Sequence, residues 1–205
     1  SVEGNGRFCY LDPSRGAMLA VAEAARNVAC AGGEPIGGTN NLNFGNPERP
    51  EIMWQLGEAV RGIGDACRAL GIPITGGNVS LYNETEGRAI YPTPVLGVVG
   101  LLDDATKTAT RMFKRAGAPV VLLGDNLGEL GGSEYLATMH GTVAGQPPAL
   151  DLSREAALQA LILKLIRGGL VDSAHDCSEG GLAITLAECT FDSGGIGVSV
   201  DLPEV

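Results

Sequence analysis

The sequence predicts an α/β or α+β protein with many tight turns, and three observations lead there. Glycine accounts for 31 of 205 residues, roughly twice its usual ~7% share, and it is scattered along the chain and not gathered in a linker. Two long stretches in the first third place apolar residues at helical spacing. Short apolar runs of strand length lie between and after further helical patterns. The apolar fraction of 44% supplies a core. A chain of this length forms one large domain or two small ones, burying roughly 70% of its unfolded surface.

Ser14 is a plausible N-cap for a helix over residues 14–30, with Met18, Val21, Ala22, Ala25, Val28 and Ala29 on one face. Asp12, just before it, reads as a turn residue, and Gly32-Gly33 stops the helix. Residues 37–47 are polar, crowded with amides and without a clean period. Pro50 opens a second helix striped by Ile52, Leu56, Ala59, Val60, Ile63, Cys67 and Leu70, which Gly71 ends. Residues 73–85 read either as strand, turn and strand or as a ligand loop, with Gly76 and Gly77 free to take positive φ. Residues 94–102 read as a strand.

The polar stretch 103–118 marks a domain boundary, giving domains 1–110 and 111–205. The second contains a buried strand at 119–124 and, at 125–134, a surface turn in preference to a phosphate loop. A helix follows at 153–167, with Ala157, Leu158, Leu161, Ile162 and Leu165 inward. A strand at 171–174, a helix at 180–188 and a last strand at 196–200 complete it. The chain begins at Ser1 and stops at Val205 without a closing element, so both domains read as truncated.

Composition excludes several classes of function. A net charge of −10, from 24 acids and 14 bases without a basic cluster, argues against nucleic acid as a partner. No apolar run approaches the ~18 residues needed to cross a bilayer, and the N-terminus is not a signal peptide. The five cysteines are widely spaced with no CxxC pair. They read as reduced thiols of a cytoplasmic protein, three of them on predicted helices. No GxxxxGK[ST] loop, strand-borne GxGxxG or G-x-S-x-G motif occurs. A hydrolytic triad built on His140 or His175 is disfavoured, and His140 reads as structural or exposed.

Two segments carry candidate chemistry. Beside Gly76 and Gly77, Asn78 offers a hard carbonyl oxygen for hydrated Mg2+ and Ser80 a hydroxyl for a phosphate. In His175-Asp176-Cys177-Ser178-Glu179-Gly180-Gly181-Leu182, Ser178 and the Gly180 and Gly181 amides could hold a phosphate while Asp176 takes a metal. The competing reading is that Ser178 is simply the N-cap of a helix.

Six segments occur together in order: Gly4-Asn5-Gly6-Arg7-Phe8-Cys9-Tyr10-Leu11-Asp12-Pro13, Ala22-Glu23-Ala24-Ala25-Arg26-Asn27-Val28, Leu42-Asn43-Phe44-Gly45-Asn46-Pro47-Glu48, Gly76-Gly77-Asn78-Val79-Ser80-Leu81-Tyr82-Asn83-Glu84, Tyr91-Pro92-Thr93-Pro94-Val95, and the run from His175 to Leu182. Over essentially its whole length the chain closely resembles the synthetase subunits of phosphoribosylformylglycinamidine synthase, an amidotransferase of purine biosynthesis. The resemblance implies an α+β fold: a nucleotide-binding domain with a mixed sheet and helices on one face, then a second α+β domain. It implies the second copy of an internally duplicated subunit, separated from its N-terminal half. The implied reaction joins formylglycinamide ribonucleotide and ammonia from glutamine at the expense of ATP, giving the amidine, ADP and phosphate.

Carried onto this sequence, the resemblance implies ATP contacts at Asn40 and Gly77, Mg2+ at Asn78 and the ribonucleotide at Ser80. Position 40 is Asn where relatives usually carry Asp, which puts a charge-dependent role there in question. Neither His140 nor His175 matches the family's catalytic His, so this stretch alone is expected to be inactive. The alternative is a catalytically silent half that holds ADP as a structural element. Implied partners are a glutaminase subunit and a small bridging subunit, all cytoplasmic. The runs at 42–47 and 76–84 speak against other superfamily enzymes acting on selenide or thiamine phosphate.

Overall fold

Asp12, not Ser14, starts the first long helix. In the computed structural model, which describes residues 1–201, the Asp12 side chain accepts from the Arg15 amide at 3.0 Å and Pro13 occupies the first turn. Both residues can cap, but Pro13 fits the first helical position, so the cap falls one residue before it. Ahead of this helix lie β1 (Val2–Glu3) and α1 (Gly6–Leu11), neither anticipated from the sequence. Asn5 caps α1 by accepting from the Arg7 and Phe8 amides.

Then follow α2 (Pro13–Cys30), β2 (Glu34–Asn43), α3 (Pro50–Leu70) and β3 (Ile74–Ser80). A small hairpin, β4 (Glu84–Thr85) and β5 (Arg88–Ala89), leads into β6 (Thr93–Leu101). The main sheet is mixed, ordered β1-β6-β2-β3, with β2 and β3 parallel and the β6 pairings antiparallel. The amide-rich segment 37–47, which has no apolar period, thus supplies most of a central strand. Its alternation is hidden because Thr39, Asn41 and Asn43 face one side while Gly38, Asn40 and Leu42 face the other. Residues 76 and 77 do not turn. They lie inside β3, and neither takes a positive φ.

Helices α2 and α3 cover one face of this sheet. Ala17, Ala20, Val21, Leu42, Phe44, Ile52, Ala59, Ile63, Ala66 and Leu96 form the main core. Alanines along α2 let α3 approach closely, and Gly62 sits against the Ser14 carbonyl, where a Cβ would collide. Gly71, in the left-handed conformation at φ 68°, ends α3 as expected.

After Leu101 the described residues contain α4 (Glu134–His140), α5 (Leu152–Arg167) and α6 (Gly181–Thr190). The expected strands at 119–124, 171–174 and 196–200 are absent among them. A strand needs neighbours for its amides. The runs at 119–124 and 196–200 make no backbone hydrogen bond to another segment, and at 171–174 only the Ala174 amide does, to the Thr110 carbonyl at 3.1 Å. Val120, Val121 and Leu122 are 55%, 70% and 48% exposed. The surface turn expected at 125–134 leads into α4, which Ser133 caps. The inward face of α5 is also turned from its expected phase. Glu155, Gln159, Ile162, Leu163 and Ile166 are buried, while Ala157 and Leu161 are exposed. An apolar count cannot foresee a buried Glu and Gln that find partners on α2. Residues 202–205, read from the sequence as an ending without a closing element, lie outside the described residues.

Two glycines of α3 provide opposite tests of this packing. Gly62→Ala is expected to lose about 1–3 kcal/mol in urea unfolding through overpacking against α2. Gly57, with open space where its Cβ would stand, is expected to gain about 0.8–1 kcal/mol as Ala from helix propensity.

Candidate functional site

The parallel register of β2 and β3 pairs Asn40 with Gly77, Asn41 with Asn78 and Asn43 with Ser80. Asn78 Nδ2 donates to Asn41 Oδ1 at 3.1 Å, and Thr39 Oγ1 donates to the Gly76 carbonyl at 3.0 Å. Asn43 Nδ2 bridges to the Asn41 and Thr93 carbonyls, both at 3.1 Å. The result is a ladder of amides on the sheet face that the helices leave open. Asn40 and Gly77 belong to the opposite, helix-side face, and the Asn40 side chain fills the space where a Gly77 Cβ would lie. A glycine is therefore required at 77 for close approach of β2, with no turn involved. The four sequence-selected residues share two neighbouring strands, but their side chains divide between two faces.

Ser80 Oγ lies 3.2 Å from Asn83 Oδ1, and Asn83 Nδ2 donates to the Phe44 and Ser80 carbonyls at 3.0 and 2.9 Å. Asn83 thus pins the exit of β3. Asn78 is exposed. Its nitrogen is given to Asn41, so its Oδ1 is the atom that would meet a cation.

The segment 175–181 is placed separately. It reaches the first part of the chain through Glu179, whose Oε1 accepts from Asn5 Nδ2 at 3.0 Å. Glu179 also lines a cleft of about 440 Å3 together with Asn5, Arg7, Tyr91, Thr93 and Val143. None of Asn40, Gly77, Asn78 or Ser80 lines that cleft. Ser178 does not cap α6. Gly180 does, at φ 84°, without a side-chain bond, because the left-handed turn there favours glycine.

Asp176 is 6% exposed, and its Oδ2 is buried with no hydrogen-bond partner. Such an oxygen is costly without a cation or donor, so Asp176 fits a divalent ion in its chemistry. Near it, Glu23 of α2 has its carboxyl pushed up to about 7, by burial first and then by Glu3 and Asp176, with Arg26 opposing. Glu23 was not singled out from the sequence. The available signal was an acid set among the buried alanines of α2. Among the described residues no group of three or more His, Cys, Asp and Glu side chains is close enough to hold a metal.

The five cysteines are free, and four of them lie on helices. Burial pushes the Cys9 and Cys30 thiols up to about 12, which suits inert packing groups. No helix among the described residues is long and apolar enough to cross a membrane.

Two family models match the chain: AIR synthase related protein, N-terminal domain, over residues 1–102, and AIR synthase related protein, C-terminal domain, over residues 115–205. The chain belongs to the AIR synthase related proteins. More particularly, it is 63% identical over 194 residues, 95% of its length, to phosphoribosylformylglycinamidine synthase subunit PurL of Anaeromyxobacter sp. (strain Fw109-5). The same subunit of Moorella thermoacetica is 59% identical over 202 residues, 98% of the chain. The family resemblance carried by the Gly-Gly-Asn-Val-Ser run is thereby borne out, as is the α+β class.

The chain spans about a quarter of these relatives, covering 25% and 27% of their lengths. Phosphoribosylformylglycinamidine synthase II of Thermotoga maritima superposes over the whole chain and 29% of its own, with a TM-score of 0.62 and 26% identity. The PurL of that organism complexed with ATP gives a TM-score of 0.62 at 25% identity, covering all of this chain and 30% of its own.

The Glu23 carboxyl yields a pH test. Its ordinary value is 4.5 and its folded value about 7, so the folded chain binds a proton that the unfolded chain releases. Stability is expected to fall as pH rises from 4.5 through 7. Urea midpoints across that range should show this slope reduced in Glu23→Gln.

Proposed function

We propose that this chain is the nucleotide-handling part of an ATP-dependent ligase. The whole protein would convert formylglycinamide ribonucleotide, with ammonia from glutamine, into formylglycinamidine ribonucleotide in de novo purine biosynthesis. The observation that carries the reading is the register that sets Asn40, Gly77, Asn78 and Ser80 side by side on two strands, in a chain 63% identical to subunits of that synthase. In this reading Asn40 and Gly77 meet ATP, Asn78 meets Mg2+ and Ser80 meets the ribonucleotide.

Asp176, Ser178, Gly180 and Gly181 form a second phosphate or metal loop. A bound Mg2+ would neutralise phosphate charge there. The chain's own contribution is positional: open carboxamides on a rigid strand pair, and one buried carboxylate oxygen awaiting a counter-charge. The reaction balances as transfer of the ATP γ-phosphoryl group to the amide oxygen, attack of ammonia on the amide carbon, and departure of phosphate. Ammonia would come from a glutaminase subunit, with a small bridging subunit between them, all in the cytoplasm. The other half of the duplicated subunit would supply the catalytic His, leaving this part inactive by itself.

A second reading, a silent half holding ADP, is favoured by Asn40. It carries no charge and turns away from Asn78, toward the helix-covered face. Asn78→Ala in the full-length protein separates the two. Under the first reading, ribonucleotide-dependent ADP release should fall by at least ~100-fold, the scale of losing a group that acts in the transition state. Turnover that persists while purified protein loses its retained ADP would establish the structural role. In the isolated chain, Mg2+ and ADP at 100 times the Kd should raise the Tm by roughly 5–10 °C, an increase that Asn78→Ala abolishes.

A further inference from the structure

Asp176 is braced by groups to which the sequence reading gave no role. Its Oδ1 lies 3.1 Å from His175 Nδ1, and His175 Nε2 lies 3.0 Å from Glu188 Oε2 in the last turn of α6. The Asp176 carbonyl accepts from Thr185 Oγ1 at 3.4 Å, one turn earlier on the same helix. Residues 185 and 188 stand three apart and so share a helix face. Two consecutive loop residues are therefore tied to one side of α6.

The consequence appears at the other oxygen. Asp176 Oδ2 is buried without a partner, and the nearby guanidinium of Arg26 gives both Nε and Nη2 to Glu155. A carboxylate free to rotate would exchange its two oxygens between these environments. With Oδ1 taken by His175, only Oδ2 remains to meet an incoming charge.

We propose that His175, braced by Glu188, is a positioning residue that fixes Asp176 so that Oδ2 is presented to a divalent cation. This rests on the reading of Asp176 as a cation ligand. Hydrogen-bond partners behind metal-ligating groups typically carry 10–100-fold of the metal affinity, because they set ligand orientation before binding.

The test is Mn2+ binding to the full-length protein in the presence of ADP, with free Mn2+ followed by electron paramagnetic resonance. Asp176→Asn should remove one Mn2+ and so mark the site. His175→Ala should weaken that same Mn2+ about 10–100-fold, and it should also lower the metal-free Tm, because Asp176 Oδ1 then loses its partner in a buried site. His175→Asn, whose amide nitrogen can stand where Nδ1 stood, should recover most of the affinity. A merely structural histidine would move the metal-free Tm and leave the Mn2+ affinity of the folded protein unchanged. If His175→Ala binds Mn2+ like wild type while Asp176→Asn does not, the positioning role is overturned and the cation site stands. If Asp176→Asn also binds normally, the cation site itself is overturned. Should His175→Ala fail to fold, the partly exposed Glu188 carries the test: Glu188→Gln should show a smaller loss, and unchanged affinity refutes the bracing role.

Discussion

Among the contacts that tie the later part of this chain to the earlier part, the most deeply buried ion pair is the one that Arg26 makes with Glu155. Arg26 Nε and Nη2 each donate to a different oxygen of Glu155 at 2.9 Å. Gln159 Nε2 donates to Glu155 Oε1 at 2.8 Å and to the Ala22 carbonyl at 3.3 Å. Glu155 is only 7% exposed, and both of its oxygens are occupied by these donors. Burial works against the Arg26 charge, but the Glu155 hydrogen bond and charge outweigh it, with Asp176 and Glu23 adding to the effect. The joint is directional, since a forked guanidinium meets a carboxylate in one plane. It sets α5 against α2, and Ala29, Ala109, Ile162, Leu163 and Ile166 close around it.

From that joint the placement of the 175–181 segment follows. α5 ends at Arg167, with residues 168–174 between it and the segment, and Asn5 and Glu179 hold the segment's far end near α1. Asp176 therefore lies within electrostatic reach of Glu23 and Arg26 on α2. The amide ladder on β2 and β3 belongs to a different face of the molecule. The chain thus carries two separate sets of candidate ligand groups. One is polar, open and strand-borne. The other is acidic, buried and held by helices.

What was legible in the sequence depended on residues that act locally. Pro50 and Gly71 bracket α3 in sequence as they do in space, because each restricts or frees its own backbone. The stripe on α2 was equally plain, and its start was missed by two residues only because Ser14 and Asp12 can both cap. β2 was illegible because its two faces carry Gly, Thr and Asn where a strand usually shows apolar alternation. β3 was misread for a related reason. Its Gly76-Gly77 pair suggests a turn, yet Gly77 is needed for the Asn40 side chain packed against it. The phase of α5 was hidden because Glu155 and Gln159 count as polar until Arg26 is found opposite them. The site residues were named by family likeness, but which face each side chain takes follows from strand register, which only the fold provides.

The most direct test of this account is a double-mutant cycle on Arg26 and Glu155, read by urea unfolding of Arg26→Met, Glu155→Leu and the pair. Each single change strands a buried charge and should cost about 3–5 kcal/mol, while the double change removes both charges and should cost well under the sum. Single losses that simply add, with coupling below ~0.5 kcal/mol, would contradict the claim that this ion pair joins the two parts of the chain.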